Sequence, residues 1–476
     1  MEHIRVKQVM EAANGRLLCG NEEQVLANIS LDSRNMSGLD LFVPIVGEKV
    51  DAHRFICQAI GNGAVAVFTS AHRDINQVEK AIADWESRGN DGKAARKAAW
   101  IAVEDTKAAL QSLGKYCRNR LSIPLVGITG SVGKTTTREM IAAALSAGYA
   151  VYRTPGNSNS QVGVPITMSS IPSEAGIAVI ELGMSEPGEM EKIARVACVD
   201  SAVVTNIGIA HIEQLGSQEN ILREKLHIQD GMNPEGILFV NGDDPLLADI
   251  QAEGGRRIIR YGMSAGCEYR AEDVRLDEGY PVFTAVHGEK RTPVRLQVMG
   301  THMVGNAMAA LAVAAEYGVD MEAAARKLGE FGGYKGRQQI HGFQGMTIID
   351  DSYNASPVSM KAGLEVLSSM KPGARKIAVL ADMKELGPDT VEFHREIGRY
   401  IAEHPVDQVL LYGELAAAIG EGLREAGGQS PFLLCGSLEQ VKEWLKREAK
   451  SGDCILFKGS NSMKLGEAVT EFMGQN

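Results

Sequence analysis

The sequence predicts an α/β protein of three domains. These are a small mixed α/β domain over residues 1–110, a central doubly wound domain over 111–336 with a small antiparallel side sheet, and a second doubly wound domain over 337–476. Three observations predict this. Short apolar runs alternate with helical patterns through most of the 476 residues, the mark of largely parallel sheets covered on both faces. One run passes through a glycine-rich turn straight into a helix. The rhythm breaks at 267–298, where alternating stretches around Gly279-Tyr280-Pro281 and Gly288-Glu289-Lys290 suit antiparallel hairpins.

In chain order, the first domain offers β-type runs at 41–45 and 64–68 among short helical patterns. The polar stretch 86–93 reads as an exposed loop insertion, and 106–120 as a helix leading to Pro124. Then comes the stretch around which the chain is organised, Leu125-Val126-Gly127-Ile128-Thr129-Gly130-Ser131-Val132-Gly133-Lys134-Thr135-Thr136. A strand, a glycine turn and a helix start in this order make an anion cradle. Glycines let successive N–H groups converge, the helix N-terminus adds partial positive charge, and Lys134 adds a full one. Thr135 would place a hydroxyl on a phosphate-bound Mg²⁺. The G-x-x-x-x-G-K-[ST] pattern is incomplete, with Ile128 at its first glycine, so an ordinary strand-to-helix turn is the competing explanation.

Further strands of the central P-loop domain are expected at 151–154, 178–182, 202–206 and 236–241. Those of the Rossmann-like last domain are expected at 346–350, 376–380, 408–411, 432–434 and 454–457. Ligands of open α/β sheets collect at the carboxyl ends of such strands, which directs attention to Glu181 and to Thr205 through Glu213 with His211. Taken alone, Glu181 reads more readily as a solvated strand-end carboxylate, and His211 as a hydrogen-bonded structural histidine. Lys225 lies on an ordinary amphipathic helical pattern, and nothing in its spacing selects it. Asn306 precedes an alanine-rich helix, Arg337 follows a hinge-like Gly333-Tyr334-Lys335-Gly336, and polar residues crowd Asp350 through Asn354.

With 49 basic and 60 acidic residues the net charge is −11, which argues against nucleic-acid or anionic-membrane binding while leaving room for anionic small substrates. Seven scattered cysteines without C-x-x-C suit a reducing compartment and suggest no zinc site or disulfide frame. No hydrophobic leader and no long apolar run is visible, so a cytoplasmic protein without membrane insertion is expected.

Taken together the motifs resemble the Mur ligases of bacterial cell-wall synthesis, along the whole chain. The resemblance rests on Thr129 through Thr135, on Asp32-Ser33-Arg34 with Leu41-Phe42-Val43-Pro44 and Gly47 through His53, and on Asn157-Ser158-Asn159-Ser160. Glu181-Leu182-Gly183, Ala210-His211-Ile212-Glu213, Asp350 through Asn354 and Asp382-Met383-Lys384-Glu385-Leu386-Gly387 complete it. It implies ATP-dependent amide formation through an acyl phosphate. The implied substrates are UDP-N-acetylmuramoyl-tripeptide and D-alanyl-D-alanine, handled by a monomer.

By the same resemblance Lys134, Glu181, His211 and Lys225 are catalytic. ATP would meet Thr129, Gly130, Ser131, Val132, Gly133, Lys134, Thr135, Thr136, Asn306, Arg337 and Asp351. The UDP-sugar would meet Ser33, Arg34, Gly47, Asp51, His53, Asn157, Asn159 and Ser160. The dipeptide would meet Tyr353, Asn354, Asp382 and Lys458. Two Mg²⁺ ions would be held by Thr135 and Glu181, and by His211 and Lys225 as a CO₂-derived carbamate. Three positions depart from the family pattern: Met303 stands for an asparagine, His227 for an acidic residue, and Asn461 for an arginine. The rival functions are another Mur or folylpolyglutamate-type amide ligase, and a nucleotide-gated binding protein that forms no bond.

Overall fold

The computed structural model describes residues 4–474, so positions 1–3 and 475–476 of the expected outer domains lie outside the described residues. The first sheet has the strand order Arg16–Cys19, Ala99–Ala102, Ala64–Thr69, Asp40–Phe42, Asn28–Ser30, with the last four strands parallel. The stretch expected as a loop insertion is a short turn. It joins the helices Ile75–Glu86 and Lys93–Lys97, and Arg96 bonds back to Glu86 at 2.6 Å.

The helix Thr106–Asn119 packs against Gly163–Ser170 and Glu189–Ala197 of the central unit. Gly114 lets it approach, since a Cβ there would lie 2.5 Å from Pro165 Cα. One buried apolar cluster therefore runs from Ile4 and Leu41 through Leu113 to Leu125, Ile180 and Val204.

The central sheet has nine strands, in the order Lys290–Arg295, Tyr280–His287, Tyr269–Asp277, Arg257–Gly262, Ile237–Asn241, Ser201–Val204, Leu125–Thr129, Ile177–Glu181, Val151–Arg153. From Leu125–Thr129 the chain first builds outward to one side and then returns to build on the other. The phosphate loop thus leaves the sheet at its topological switch point, where a crevice opens. The antiparallel strands of 269–295 are present as expected, and a parallel pairing of Tyr261 with Tyr269 joins them to this same sheet. The strand Arg257–Gly262 that makes this junction was not anticipated. Alanines on His302–Glu316 bring that helix close against Lys134–Leu145 and bury both.

The last unit is a six-stranded sheet ordered Gln339–Phe343, Met346–Asp351, Cys454–Lys458, Lys376–Ala381, Gln408–Tyr412, Phe432–Cys435, parallel except for its first, unanticipated strand. Gln344 and Gly345, both at positive φ, make the two-residue hairpin that adds that edge. Among the described residues no helix is long and apolar enough to cross a membrane.

Candidate active site

The phosphate loop owes its shape to two glycines and to a clamp from the neighbouring strand. Gly130 sits at φ +149° with Thr205 so close that a Cβ would lie 1.9 Å from its Oγ1; Gly133 sits at φ +85°. Ser131 N–H donates to the Asn206 carbonyl (3.0 Å) and Val132 N–H to Asn206 Oδ1 (2.8 Å). Thr205 Oγ1 and Asn206 Nδ2 return bonds to the Val132 carbonyl at 2.8 and 2.9 Å. Gly208 N–H donates to Ser131 Oγ at 2.9 Å. The helix Lys134–Leu145 starts on Gly133 without a side-chain cap among the described residues. Its first-turn N–H groups, at Lys134, Thr135 and Thr136, are those a helix leaves for an anion.

Two lysines meet at this loop. Lys134 Nζ and Lys225 Nζ both donate to the Gly130 carbonyl, at 2.8 and 3.1 Å. Lys225 is only 1% exposed, so the solvated amphipathic face suggested by its helix, Gln218–Leu226, is corrected. Burial and then the neighbouring Lys134 ammonium hold Lys225 well below the usual lysine range. Burial also lowers Lys134. Thr129 Oγ1 beneath the loop is buried with no partner among the described residues.

Glu181 is likewise buried, at 2% exposure, and is no solvated strand end. Its Oε2 accepts from Thr135 Oγ1 (3.0 Å) and Arg138 Nη1 (3.1 Å), and its Oε1 from Asn159 Nδ2 (2.8 Å). Asn159, expected on the sugar side, therefore faces the phosphate-loop side. Asn157 is exposed, and Ser160 Oγ accepts from Gly163 N–H at the start of a helix.

Arg138, which sequence reasoning passed over, is fully buried. It bonds Glu181, Glu139 and the Gly156 carbonyl, and lies 5.5 Å from the Tyr334 ring. Its spacing of three from Thr135 and four from Lys134 was the available signal. Asn206 was passed over too, inside a stretch noticed for His211.

His211 is not gathered with Glu181. It sits at φ +65° with Nδ1 2.7 Å from Glu385 Oε2 but outside hydrogen-bond geometry, and the adjacent imidazole draws the Glu385 carboxyl below its usual range. Among the described residues no three His, Cys, Asp or Glu side chains gather as a metal cluster.

Asn306 accepts from Thr137 Oγ1 at 3.1 Å beside Gly133, and its Nδ2 faces Met303 Sδ at 3.6 Å. The Arg337 guanidinium lies 4.0 Å over the Tyr353 ring. Asp351 and Lys458, expected on different ligands, pair with each other at 2.6 Å, and Lys458 also donates to the carbonyl of exposed Asn354. Burial raises the Asp351 carboxyl and lowers the Lys458 ammonium. Asp382, expected at the dipeptide, is 2% exposed, and its carboxylate accepts from Ala416 N–H and Lys384 Nζ, which anchors the loop.

In the first domain Ser33, Arg34 and Gly47 lie on loops that follow two adjacent parallel strands, Asn28–Ser30 and Asp40–Phe42, and Asp51 caps the short 3-10 helix Ala52–Phe55 that carries His53. Ser33 is buried, and Arg34 is exposed and paired with Asp32, whose carboxyl it holds at about 2. Gly47 closes a turn on Val50. His53 is 7% exposed. Its Nδ1 meets Asp51 at 2.6 Å and its Nε2 accepts Ser70 N–H at 3.0 Å, so both ring nitrogens are committed.

Three family models match the chain. They are described as Mur ligase family, catalytic domain (residues 25–117), Mur ligase middle domain (128–314), and Mur ligase, glutamate ligase domain (336–461). The UDP-N-acetylmuramoyl-tripeptide--D-alanyl-D-alanine ligase of Bacillus subtilis is 36% identical over 470 residues, 98% of each chain. A crystal structure of MurF from Acinetobacter baumannii, 29% identical, matches with a TM-score of 0.85 over 100% of this chain and 99% of that one. A MurF ligase from Thermotoga maritima in complex with ADP, 27% identical, matches with a TM-score of 0.78 over 94% and 97%.

Proposed function

The chain belongs to the Mur ligase family, and from that premise and the site's geometry we propose that it joins D-alanyl-D-alanine to UDP-N-acetylmuramoyl-tripeptide, with ATP cleaved to ADP and phosphate. The observation that carries the chemistry is the pair of lysines converging on Gly130 beside the uncapped helix start, with Glu181 and Thr135 3.0 Å apart next to them. The tripeptide carboxylate attacks the γ-phosphorus and ADP leaves. The dipeptide amine then attacks the acyl carbon and phosphate leaves. Both steps pass through crowded negative charge, which clustered donors and cations stabilise.

In this scheme the N–H groups of Gly133 through Thr136 cradle the phosphates and the Lys134 ammonium meets the γ-phosphoryl group. Asn306, Arg337 and Asp351 border the nucleotide, Tyr353, Asn354 and Lys458 the dipeptide, and Ser33 and Arg34 the uridine nucleotide. A guanidinium that now pairs with Asp32 has a fork suited to that anion.

Mg²⁺ supplies charge neutralisation for phosphoryl transfer when bound. Thr135 and Glu181 fit it, as a hydroxyl and a carboxylate already side by side at the phosphate loop. The donors expected for a second ion do not fit as placed, because His211 faces Glu385 and no cluster forms among the described residues. No step is therefore routed through a second ion. Lys225 suits carbamylation by itself. Burial and the Lys134 charge favour the neutral form of its amine, and a neutral amine adds to CO₂ to give a carbamate and a proton.

All seven cysteines are free thiols, and we place the enzyme in the reducing cytoplasm as a monomer of three domains, 1–110, 111–336 and 337–476. The test is ADP release from purified chain with UDP-muramyl-tripeptide, offered D-alanyl-D-alanine, L-lysine, or folate plus glutamate. Release with D-alanyl-D-alanine alone is expected. Release only with one of the other two would overturn the assignment, and tight ATP binding without amine-dependent turnover would favour a binding protein.

A further inference from the structure

We propose that Arg138 is a positioning residue for Glu181, holding that carboxylate beside Thr135 in readiness for a divalent cation at the phosphate loop. The proposal rests on the reading of Thr135 and Glu181 as the Mg²⁺ pair. Nothing in the scheme above gives Arg138 a task, although it is a fully buried cation at the centre of the site.

A guanidinium without exposed surface is costly to bury unless partners compensate it. Glu139, next to it on the helix Lys134–Leu145, does so: its Oε1 accepts from Arg138 Nε at 3.0 Å and from Nη2 at 2.7 Å. The other oxygen of Glu139 meets Arg153 Nε at 2.8 Å. These bonds occupy one edge of the guanidinium fork and leave Nη1, which donates to the Gly156 carbonyl at 2.8 Å and to Glu181 Oε2 at 3.1 Å. Arg138 follows Thr135 by three residues, so the two side chains share one face of the helix and reach the same oxygen of Glu181. Gly156, at φ +54°, belongs to the loop that carries Asn159, whose Nδ2 donates to Glu181 Oε1 at 2.8 Å. Arg138 thus holds one oxygen of Glu181 directly and steadies the loop that holds the other.

Two opposite roles are open to such an arginine. An uncompensated cation would repel a metal ion from the carboxylate, whereas a neutralised one orients the carboxylate for it. The geometry favours orientation. Glu139 takes the fork's edge, so Arg138 reaches Glu181 through a single N–H and not as a bidentate clamp on both oxygens. An ionised carboxylate offers about four lone-pair positions, and the donors from Thr135, Arg138 and Asn159 leave room for a cation.

The test is calorimetric titration of the full chain with a non-hydrolysable ATP analogue, with and without Mg²⁺. It compares the parent with Arg138→Lys, Arg138→Met, and Arg138→Met combined with Glu139→Gln. The double variant removes the carboxylate that Arg138→Met leaves unpaired, and so covers the case in which the single variant fails to fold. In the parent, Mg²⁺ should tighten binding. A folded methionine variant should lose about 10-fold or more of that Mg²⁺-dependent gain while its metal-free binding is unchanged, the scale expected when a partner behind a metal ligand is removed. Arg138→Lys, which keeps a cationic donor, should recover part of the loss. A gain that is unchanged or larger in a folded methionine variant, an equal loss with and without Mg²⁺, or a parent indifferent to Mg²⁺ overturns the proposal. The titration needs no turnover. A parent that binds the analogue with Mg²⁺ yet releases no ADP with UDP-muramyl-tripeptide and D-alanyl-D-alanine would therefore fault the ligase assignment, while the titrations still decide whether Arg138 sets Glu181.

Discussion

At Gly130 one carbonyl oxygen accepts hydrogen bonds from two lysines, so two ammonium groups are held near each other out of water. Low local dielectric strengthens their repulsion, and the more buried partner can relieve it by losing its proton. Lys225 is that partner, and neutrality opens the route to a carbamate. Lys225→Ala is expected to lower the rate of ADP release about 100- to 1,000-fold, the scale seen when one preorganised charge-stabilising group is removed. Formate or acetate should partly restore it by refilling the carboxylate position. A steady-state assay with and without the added carboxylate checks this, and an unimpaired variant would remove Lys225 from the chemistry. Lys225 also marks the limit of reading residues singly. Lys134, Thr135 and Glu181 could be singled out from a strand, a turn and a strand end, because those positions follow from local pattern. The burial of Lys225 depends on a loop 95 residues earlier in the chain lying against its helix.

Among the elements, the last domain's sheet places Asp351 and Lys458 on adjacent parallel strands, Met346–Asp351 and Cys454–Lys458, where they face each other in register. Both are nearly inaccessible and bonded at 2.6 Å. Removing one partner leaves an uncompensated buried charge, so Asp351→Ala should destabilise the domain by about 3–5 kcal/mol, while Asp351→Leu with Lys458→Met should cost clearly less. Urea unfolding of the two variants gives the comparison, and equal losses would deny the pair its buried-charge character. Strands were legible at several apolar runs buried on both faces, as at Leu125–Thr129 and Ile177–Glu181, while Ala99–Ala102, equally buried but only four residues long, was passed over. Arg257–Gly262 escaped because arginines interrupt its short run; Arg260 turns its guanidinium onto the Ala248 and Ile250 carbonyls. Gln339–Phe343 escaped because an edge strand with His341 and Gly342 buries too little to show a period.

For the whole molecule, the first two domains share one apolar cluster, while the last has clusters that take in Met299 and little else from the centre. Polar contacts also cross to the last domain, His302 with Gln338 at 3.0 Å and Glu385 beside His211. That arrangement suits a reaction in two halves, one on the nucleotide and one on the incoming amine. Its central claim is that the tripeptide carboxylate takes the phosphoryl group before the amide forms. Turnover of UDP-muramyl-tripeptide with ¹⁸O in its terminal carboxylate, in the presence of D-alanyl-D-alanine and ATP, tests this most directly. One ¹⁸O atom in each inorganic phosphate released, read by mass spectrometry, is the predicted result; unlabelled phosphate, or label in AMP, would contradict it.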